Sequence, residues 1–292
     1  MRSLRPCWPW PAESARPGRQ GEPRTVGGPS AVMVSPAREG QVARPRARAR
    51  RLVPAYRHPS LAPALWDRLG TDLTDGLVVV NVADGPGPGT DSAYSSAIAR
   101  LQAQNVPLAG YVDVGFGRRT SGAIVADVIT WFTTYRITGI FLDCMPSDGE
   151  QLPWAVHLTA ALRRAGVGPI VANHGCVPAR GYLTISDLVI TFEGPLSAYL
   201  RAEGTAEGTA EGTAEGGRFE GGGFEGAGSG DPLMVDLSPT RVGHLVHGLP
   251  GDPGRRSTVL DQVLAEATRR GAGWVAAGAT GGVHEWEVPA WW

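Results

Sequence analysis

Lysine is absent from this chain of 292 residues, and cysteine is scarce. The 27 strongly basic side chains are therefore all arginine, a pattern that codon bias explains as well as function does. The three cysteines, Cys7, Cys144 and Cys176, are too few for a disulfide framework. Cys144 and Cys176 fall near the ends of neighbouring predicted strands, where a bridge is conceivable, but two buried free thiols are the simpler expectation.

Long apolar runs are also missing. No segment approaches the roughly 20 apolar residues that a membrane-spanning helix needs, so no membrane span is expected. The beginning of the chain carries no apolar stretch of the kind found in signal peptides, which predicts a cytoplasmic protein for the chain as written.

Charge is unevenly distributed although the net charge is only −1. Residues 1–51 hold eleven arginines against three glutamates and are rich in proline, without any hydrophobic period. Such a segment cannot bury enough apolar surface to offset its ordering entropy, so we predict a disordered tail. Its arginine-rich run, 44–51, could contact nucleic acid or an anionic surface. A solvated tail is the expected alternative, and no nucleic-acid partner is expected.

The remainder of the chain, 52–292, alternates short apolar runs with amphipathic stretches. The predicted strands are 52–56, 77–82, 108–114, 139–144, 170–173, 188–192, 242–247 and 273–279. The predicted helices are 61–70, 91–104, 121–135, 150–165 and 257–270. Alternation of this kind is typical of the α/β class, with a parallel sheet built from βαβ units. Eight strands in about 240 residues predict a single (β/α)8 barrel of the TIM type.

A doubly wound open sheet is the alternative fold. Its dinucleotide-binding signature, Gly-x-Gly-x-x-Gly, should follow the first strand and open a helix, and none does so here. The segment 85–87, Gly-Pro-Gly, comes after the second strand and fits a turn better than a phosphate-binding loop.

One segment interrupts the alternation. Within 203–231 the tetrapeptide Glu-Gly-Thr-Ala occurs three times and is followed by glycine-rich sequence. Short repeats without apolar residues predict a flexible low-complexity insert.

Polar side chains recur at the carboxyl end of almost every predicted strand. They are Tyr56, Asn81, Asp113, Asp143, Asn173, His174, Glu193 and His247. The aromatic residues Tyr111 and Phe116 accompany them. Each could simply cap a loop, but the strand ends of a barrel converge on one face, where active sites lie.

The chemistry of this set suits a neutral ligand rich in hydroxyl groups, because carboxylates accept hydrogen bonds from hydroxyls and aromatic rings stack on sugars. Paired carboxylates also carry out glycoside hydrolysis. The competing use is a metal site, but the carboxylates and histidines lie on separate strands without a His-Glu-x-x-His spacing. No metal or other cofactor is therefore expected. A serine nucleophile is not indicated, since no Gly-x-Ser-x-Gly motif is present.

Six short segments, taken in order and spacing, resemble the spherulation-specific family 4 (spherulin-4-like) proteins. They are Val-Pro-Ala-Tyr (53–56), Val-Val-Asn-Val-Ala-Asp-Gly-Pro-Gly (79–87), Gly-Tyr-Val-Asp-Val-Gly-Phe-Gly (110–117), Gly-Ile-Phe-Leu-Asp (139–143), Ala-Asn-His-Gly (172–175) and Thr-Phe-Glu-Gly (191–194). The resemblance covers about residues 52–292 without the insert. The family is similar to glycoside hydrolase families 135 and 114, which have barrel folds and cleave α-1,4-linked polysaccharides of the galactosaminogalactan type.

The resemblance implies that Asp143 and Glu193 are the catalytic pair, with Asp113 lining the same cleft. We expect Glu193 to act as general acid and base, and Asp143 as the nucleophile or the carboxylate that stabilises a cation-like transition state. The other strand-end residues and both accompanying aromatics are expected to bind substrate. The chain departs from its relatives at Cys144, where they often carry glutamate, and at His174, where they often carry proline.

Two functional hypotheses remain. The first is a glycoside hydrolase acting on an amino-sugar polysaccharide. The second is a non-catalytic carbohydrate-binding or spore- and wall-associated protein, which Cys144 favours. Both predict a polysaccharide or oligosaccharide partner, and the family resemblance implies an extracellular or cell-surface location. No feature of the sequence indicates an oligomeric state.

Overall fold

The computed structural model describes residues 49–73, 75–201, 238–280 and 289–291. All of them belong to one compact unit, Ala47–Trp292. The insert at 203–231 and the tail up to residue 48 lie outside the described residues.

Eight parallel strands close into a barrel in chain order, which confirms the predicted fold. The strands are β1 (Arg50–Ala55), β2 (Gly76–Val80), β3 (Leu108–Asp113), β4 (Gly139–Asp143), β5 (Ile170–Asn173), β6 (Leu188–Pro195), β7 (Val242–Leu249) and β8 (Trp274–Ala279). The barrel closes where Arg50 and Arg51 of β1 pair with Trp274 and Val275 of β8.

Helices connect the strands on the outside. They are α1 (Pro63–Thr71), α2 (Ser92–Ala103), α3 (Ser121–Tyr135), α4 (Leu152–Arg164), α5 (Leu196–Arg201) and α6 (Pro253–Arg269). Asp91 caps α2, as its position predicts, by accepting hydrogen bonds from the Ala93 and Tyr94 amides at 2.8 and 3.0 Å. The sequence predicted all of these helices except the short α5.

Alternate strand residues pack outward against the helices and form the layer that holds the barrel together. One cluster combines Val112 of β3 with Ile124 and Trp131 of α3. Gly110 makes this packing possible, because a Cβ there would lie only 2.4 Å from the Trp131 ring. The Trp131 indole donates a hydrogen bond of 2.8 Å to the Tyr111 carbonyl, so α3 fixes the end of β3 where the candidate site begins.

None of the helices in the described part of the chain combines the length and apolar character that crossing a membrane requires.

Candidate active site

Two aspartates lie side by side at the carboxyl end of the barrel. Asp113 and Asp143 are register partners at the last positions of β3 and β4, and Tyr111 and Phe141 are partners one side-chain repeat earlier. Partners in a parallel sheet share a face, so both aspartates follow barrel-facing residues and open onto the mouth of the barrel.

An amide bridges the two residues expected to be catalytic. The Asn173 Nδ2 at the end of β5 donates to Asp143 Oδ1 at 2.7 Å and to Glu193 Oε2 at 2.6 Å. The two carboxylate oxygens are therefore no farther apart than the sum of these lengths, about 5.3 Å. Asn173 is 3% exposed, whereas Asp143 is half-buried and Glu193 is exposed. The pair thus rests on a buried donor and faces solvent on its other side.

An irregularity in β6 turns Glu193 toward Asp143 and Asn173. Ile190 pairs with Gly243 of β7, but it is Phe192, two residues later, that pairs with the next residue, His244. Thr191 is therefore an extra residue, a β-bulge. Strict alternation from the barrel-facing Ile190 would turn Glu193 outward, toward the helices. The bulge restores the inward direction, and Glu193 pairs in register with Leu245.

Two tyrosines surround Asp143. The Tyr111 hydroxyl donates to Asp143 Oδ2 at 2.7 Å, and the Tyr56 ring meets the Tyr111 ring edge-on at a centroid distance of 5.8 Å. Burial raises the pKa of both phenols far above the usual value, and the charge of Asp143 adds to each rise. Glu193 also raises the pKa of Tyr56, which places that phenol near both carboxylates. Both tyrosines therefore remain protonated donors beside the pair.

Cys144 follows Asp143 directly and is tied to the third carboxylate. Burial raises the pKa of its thiol to about 12, with further contributions from the charges of Asp143 and Asp113 and from a hydrogen bond to Asp113. Asp113 accepts a second hydrogen bond, from the Gly115 amide to its Oδ1 at 2.7 Å. Cys144 and Cys176 are free and only half-buried, so the conceivable bridge does not form. The residue beside Asp143 is thus a neutral thiol.

Phe116 lies at the rim of the barrel mouth, in the loop after β3. Its amide donates to the Cys144 carbonyl at 2.7 Å, and the residue is 47% exposed. The loop that carries Phe116 is therefore attached to the residue after Asp143, at the carboxyl end of the barrel.

Three other predicted site residues have structural surroundings of their own. The Asn81 Oδ1 accepts from the Gly85 amide at 2.9 Å and so shapes the loop after β2. The buried His174 ring packs edge-on against Tyr182, and its Nδ1 is 2.8 Å from the Pro146 carbonyl. His247 is half-buried on β7 and is the register partner of Pro195, beyond Glu193. Asn81 and His174 thus support the loops beside the Asp143–Asn173–Glu193 network.

Two features of the site were not foreseen from the sequence. Thr191 carries no local signal for a bulge, because its role depends on how β6 pairs with β7. The hydrogen bond from the Tyr111 hydroxyl to Asp143 was not predicted either, and the expected contact of Tyr111 with substrate stays a prediction. Within the described ranges, no group of three or more His, Cys, Asp or Glu side chains is arranged to hold a metal ion.

Comparison with known proteins agrees with this architecture. The family model of spherulation-specific family 4 matches residues 51–288. Spherulin-4 of Physarum polycephalum is 30% identical over 148 residues, which is 49% of this chain and 44% of that protein. The match thus spans less than half the length of this relative.

Among solved structures, Aspergillus clavatus Sph3 in complex with GalNAc superimposes with a TM-score of 0.59 at 23% identity. The superposition covers 82% of this chain and 92% of Sph3. At this identity the likeness shows a shared barrel fold, one that in Sph3 accommodates an amino sugar. Because the family model spans most of the chain, the protein belongs to spherulation-specific family 4.

Proposed function

We propose that this protein is a glycoside hydrolase that cleaves an amino-sugar polysaccharide of the galactosaminogalactan type, with α-1,4 linkages. The observation that carries the proposal is the pairing of Asp143 and Glu193 through the Asn173 amide at the mouth of the barrel. Membership of the family and the GalNAc bound to Sph3, which shares the fold, support an amino sugar as the substrate.

The hydrogen bonds support different proposed roles for the two carboxylates. Asp143 accepts from both Asn173 and Tyr111, one donor on each oxygen. Two donors hold the Asp143 carboxylate in one orientation, which suits a nucleophile that must meet the anomeric carbon. Glu193 accepts from Asn173 and is exposed, so it can exchange a proton with a leaving group and then with water.

The spacing favours retention of configuration. Retaining enzymes hold their carboxyl groups about 5–5.5 Å apart, and inverting enzymes roughly 6.5–9.5 Å apart to admit a water molecule. The upper limit of about 5.3 Å between the bridged oxygens lies below the range of inverting enzymes and so supports the first geometry. Glu193 then protonates the glycosidic oxygen while an Asp143 oxygen bonds to the anomeric carbon and the glycosidic bond breaks. In the second step Glu193 takes a proton from water, whose oxygen replaces Asp143.

Release of reducing ends from acetylated and de-N-acetylated galactosamine polymers tests the activity. Asp143→Asn and Glu193→Gln keep the side-chain shape and should each lower the rate at least about 100-fold, since each removes a group that acts in the transition state. Asp261→Asn, on the exposed face of α6, is the matched control and should leave the rate unchanged. Parental rates in both active-site variants would exclude the assignment, and the anomer first released, followed by NMR, tests retention.

The non-catalytic alternative is favoured by one observation. The position after Asp143 holds a thiol whose pKa is raised to about 12 by burial and neighbouring carboxylates, where similar proteins often carry glutamate. If that carboxylate is required for turnover, the barrel binds sugar without cleaving it. The parent would then bind galactosamine oligomers and release no reducing ends, and Cys144→Glu would restore cleavage.

A further inference from the structure

We propose that Phe116 and Arg118 form a rim subsite that stacks one sugar unit of a polysaccharide chain beside the Asp143–Glu193 pair. The inference rests on the proposed function for the class of ligand and adds where a neighbouring unit of the chain binds. It concerns the loop between β3 and α3, and it is carried by backbone strain, exposure and the rigidity of that loop.

The first observation is an unfavourable backbone that holds an apolar ring in solvent. Phe116 has φ 55° and ψ 40°, the left-handed region, which costs a non-glycine residue about 1–2 kcal/mol. The residue is 47% exposed, so burial within the protein does not offset much of that cost. Strain that packing does not explain is concentrated at functional sites, and here it presents an aromatic surface to ligand.

The second observation is that the loop cannot easily relax. Gly115 and Gly117, on either side of Phe116, have φ values of 58° and 78°. A Cβ at Gly117 would lie 1.8 Å from the Gln151 side-chain oxygen, so the loop packs closely on the start of α4. The Gly115 amide is held by the Asp113 carboxylate. The backbone that carries the ring is therefore held in place, and binding costs little backbone ordering entropy.

The third observation is the position of the ring relative to the chemistry. The Phe116 amide donates to the carbonyl of Cys144, the residue after Asp143. Asp113, which anchors the same loop, is the register partner of Asp143. The backbone of Phe116 is consequently attached at the ends of β3 and β4, next to the residue that follows Asp143.

Arg118 adds hydrogen-bond donors to this surface. Its guanidinium lies 5.4 Å from the Phe116 ring centroid, and the side chain is exposed. None of the carboxylates in the described residues is within ion-pair distance of it. An aromatic face next to unpaired donors matches a sugar ring, whose C–H face stacks while its hydroxyl or carbonyl oxygens accept hydrogen bonds.

The opposite side of the barrel mouth carries a cavity of its own. A cavity of about 430 Å³ lies beside the ends of β6 and β7, past Glu193. Its lining residues are Pro195, Leu196, Ser197, Leu200, Arg201 and Gly248. A chain long enough to reach both Phe116 and this cavity would have to cross the barrel mouth, where Asp143 and Glu193 lie.

The test compares galactosamine oligomers of increasing length. Phe116→Ala should lower the ratio of kcat/KM for long oligomers to that for the shortest cleaved oligomer about tenfold, the loss expected for one stacked aromatic contact. Phe116→Trp should keep or raise the ratio, and Arg118→Gln should lower it by a smaller factor. Phe132→Ala is the matched control, because Phe132 is 42% exposed on α3, away from the mouth. An unchanged ratio in Phe116→Ala, or an equal fall in Phe132→Ala, would overturn the subsite.

Calorimetric binding of the longest oligomer to the Asp143→Asn protein separates this proposal from the proposed hydrolysis. We expect Phe116→Ala, added to that variant, to weaken binding about tenfold. If the parent protein cleaves nothing but binding still depends on Phe116, hydrolysis fails and the subsite stands. If the parent cleaves and binding does not depend on Phe116, hydrolysis stands and the subsite is wrong.

Discussion

Two buried histidines should make this barrel sensitive to mild acid. His174 is 7% exposed and His244 is 4% exposed. Burial lowers the pKa of His174 to about 4, a hydrogen bond to the Pro146 carbonyl opposing the shift in part. Burial, with the Arg270 charge adding to it, lowers the pKa of His244 to about 3. Both rings are therefore neutral in the folded protein throughout the mildly acidic range.

The unfolded chain behaves differently, because its histidines take up protons near pH 6.5. Stability is complete above that pH and is lost as the pH falls toward the folded-state values. One pKa unit corresponds to about 1.36 kcal/mol, so each histidine should remove roughly 2 kcal/mol of unfolding free energy between about pH 7.5 and pH 5. Together they remove roughly 4 kcal/mol, a large part of the 5–15 kcal/mol typical of a folded domain. Aspartate and glutamate side chains titrate mostly below pH 5, so the change in stability between pH 7.5 and pH 5 comes mainly from the histidines.

Urea unfolding followed by tryptophan fluorescence at several pH values measures the effect. His174→Gln and His244→Gln should each flatten the pH dependence by about half, and the double variant should nearly abolish it. His157→Gln, on the exposed face of α4, should leave it as in the parent. A parent stability that is constant between pH 7.5 and pH 5, or a slope that survives in the double variant, would refute the reasoning.

Two further outcomes follow from the packing near the site. Gly110→Ala should destabilise the protein by about 1–3 kcal/mol, because the new methyl group would overpack against Trp131. Thermal unfolding should show a fall in Tm of about 2–4 °C for each kcal/mol. Gly89→Ala is the control and should leave Tm unchanged, because no atom lies within 4 Å of the new Cβ. Cys144, whose pKa is raised to about 12 by burial and neighbouring carboxylates, should resist iodoacetamide at pH 8 in the native protein and react readily in urea, as peptide mass spectrometry would show. Equal alkylation in both states would contradict that environment.

The barrel could be predicted because its signals are local. Each strand is a short apolar run bounded by turn residues, and a helix N-cap such as Asp91 needs only its own neighbours. The position of Asp143 at the end of β4 followed in the same way, since the run Ile-Phe-Leu stops there. Short α5 was missed because six residues carry too little periodicity, and its buried Tyr199 finds its partner, His244, on a strand 45 residues away.

The candidate site was harder to predict because a strand end does not specify where a side chain points. Asn81 and His174 occupy strand ends like Asn173, yet one braces a loop and the other packs against Tyr182. The direction of Glu193 is a still clearer case, since strict alternation along β6 gives the wrong face. Such choices depend on side-chain partners distant in sequence, which a single chain read in order does not reveal.

The bulge in β6 also changes how residue numbers along β6 relate to positions along the barrel axis. Ile190 and Glu193 are three residues apart in the chain, but their partners on β7, Gly243 and Leu245, are two apart. A relative lacking the extra residue would be one residue shorter at this point and would still present its acid at the same height of the barrel. Counting residues from the start of β6 would misalign the glutamates of the two proteins. Aligning each residue by its register partner on β7 would superimpose them. A design that transfers this site to another barrel should therefore place the glutamate by its register partner on β7 and not by its number along β6.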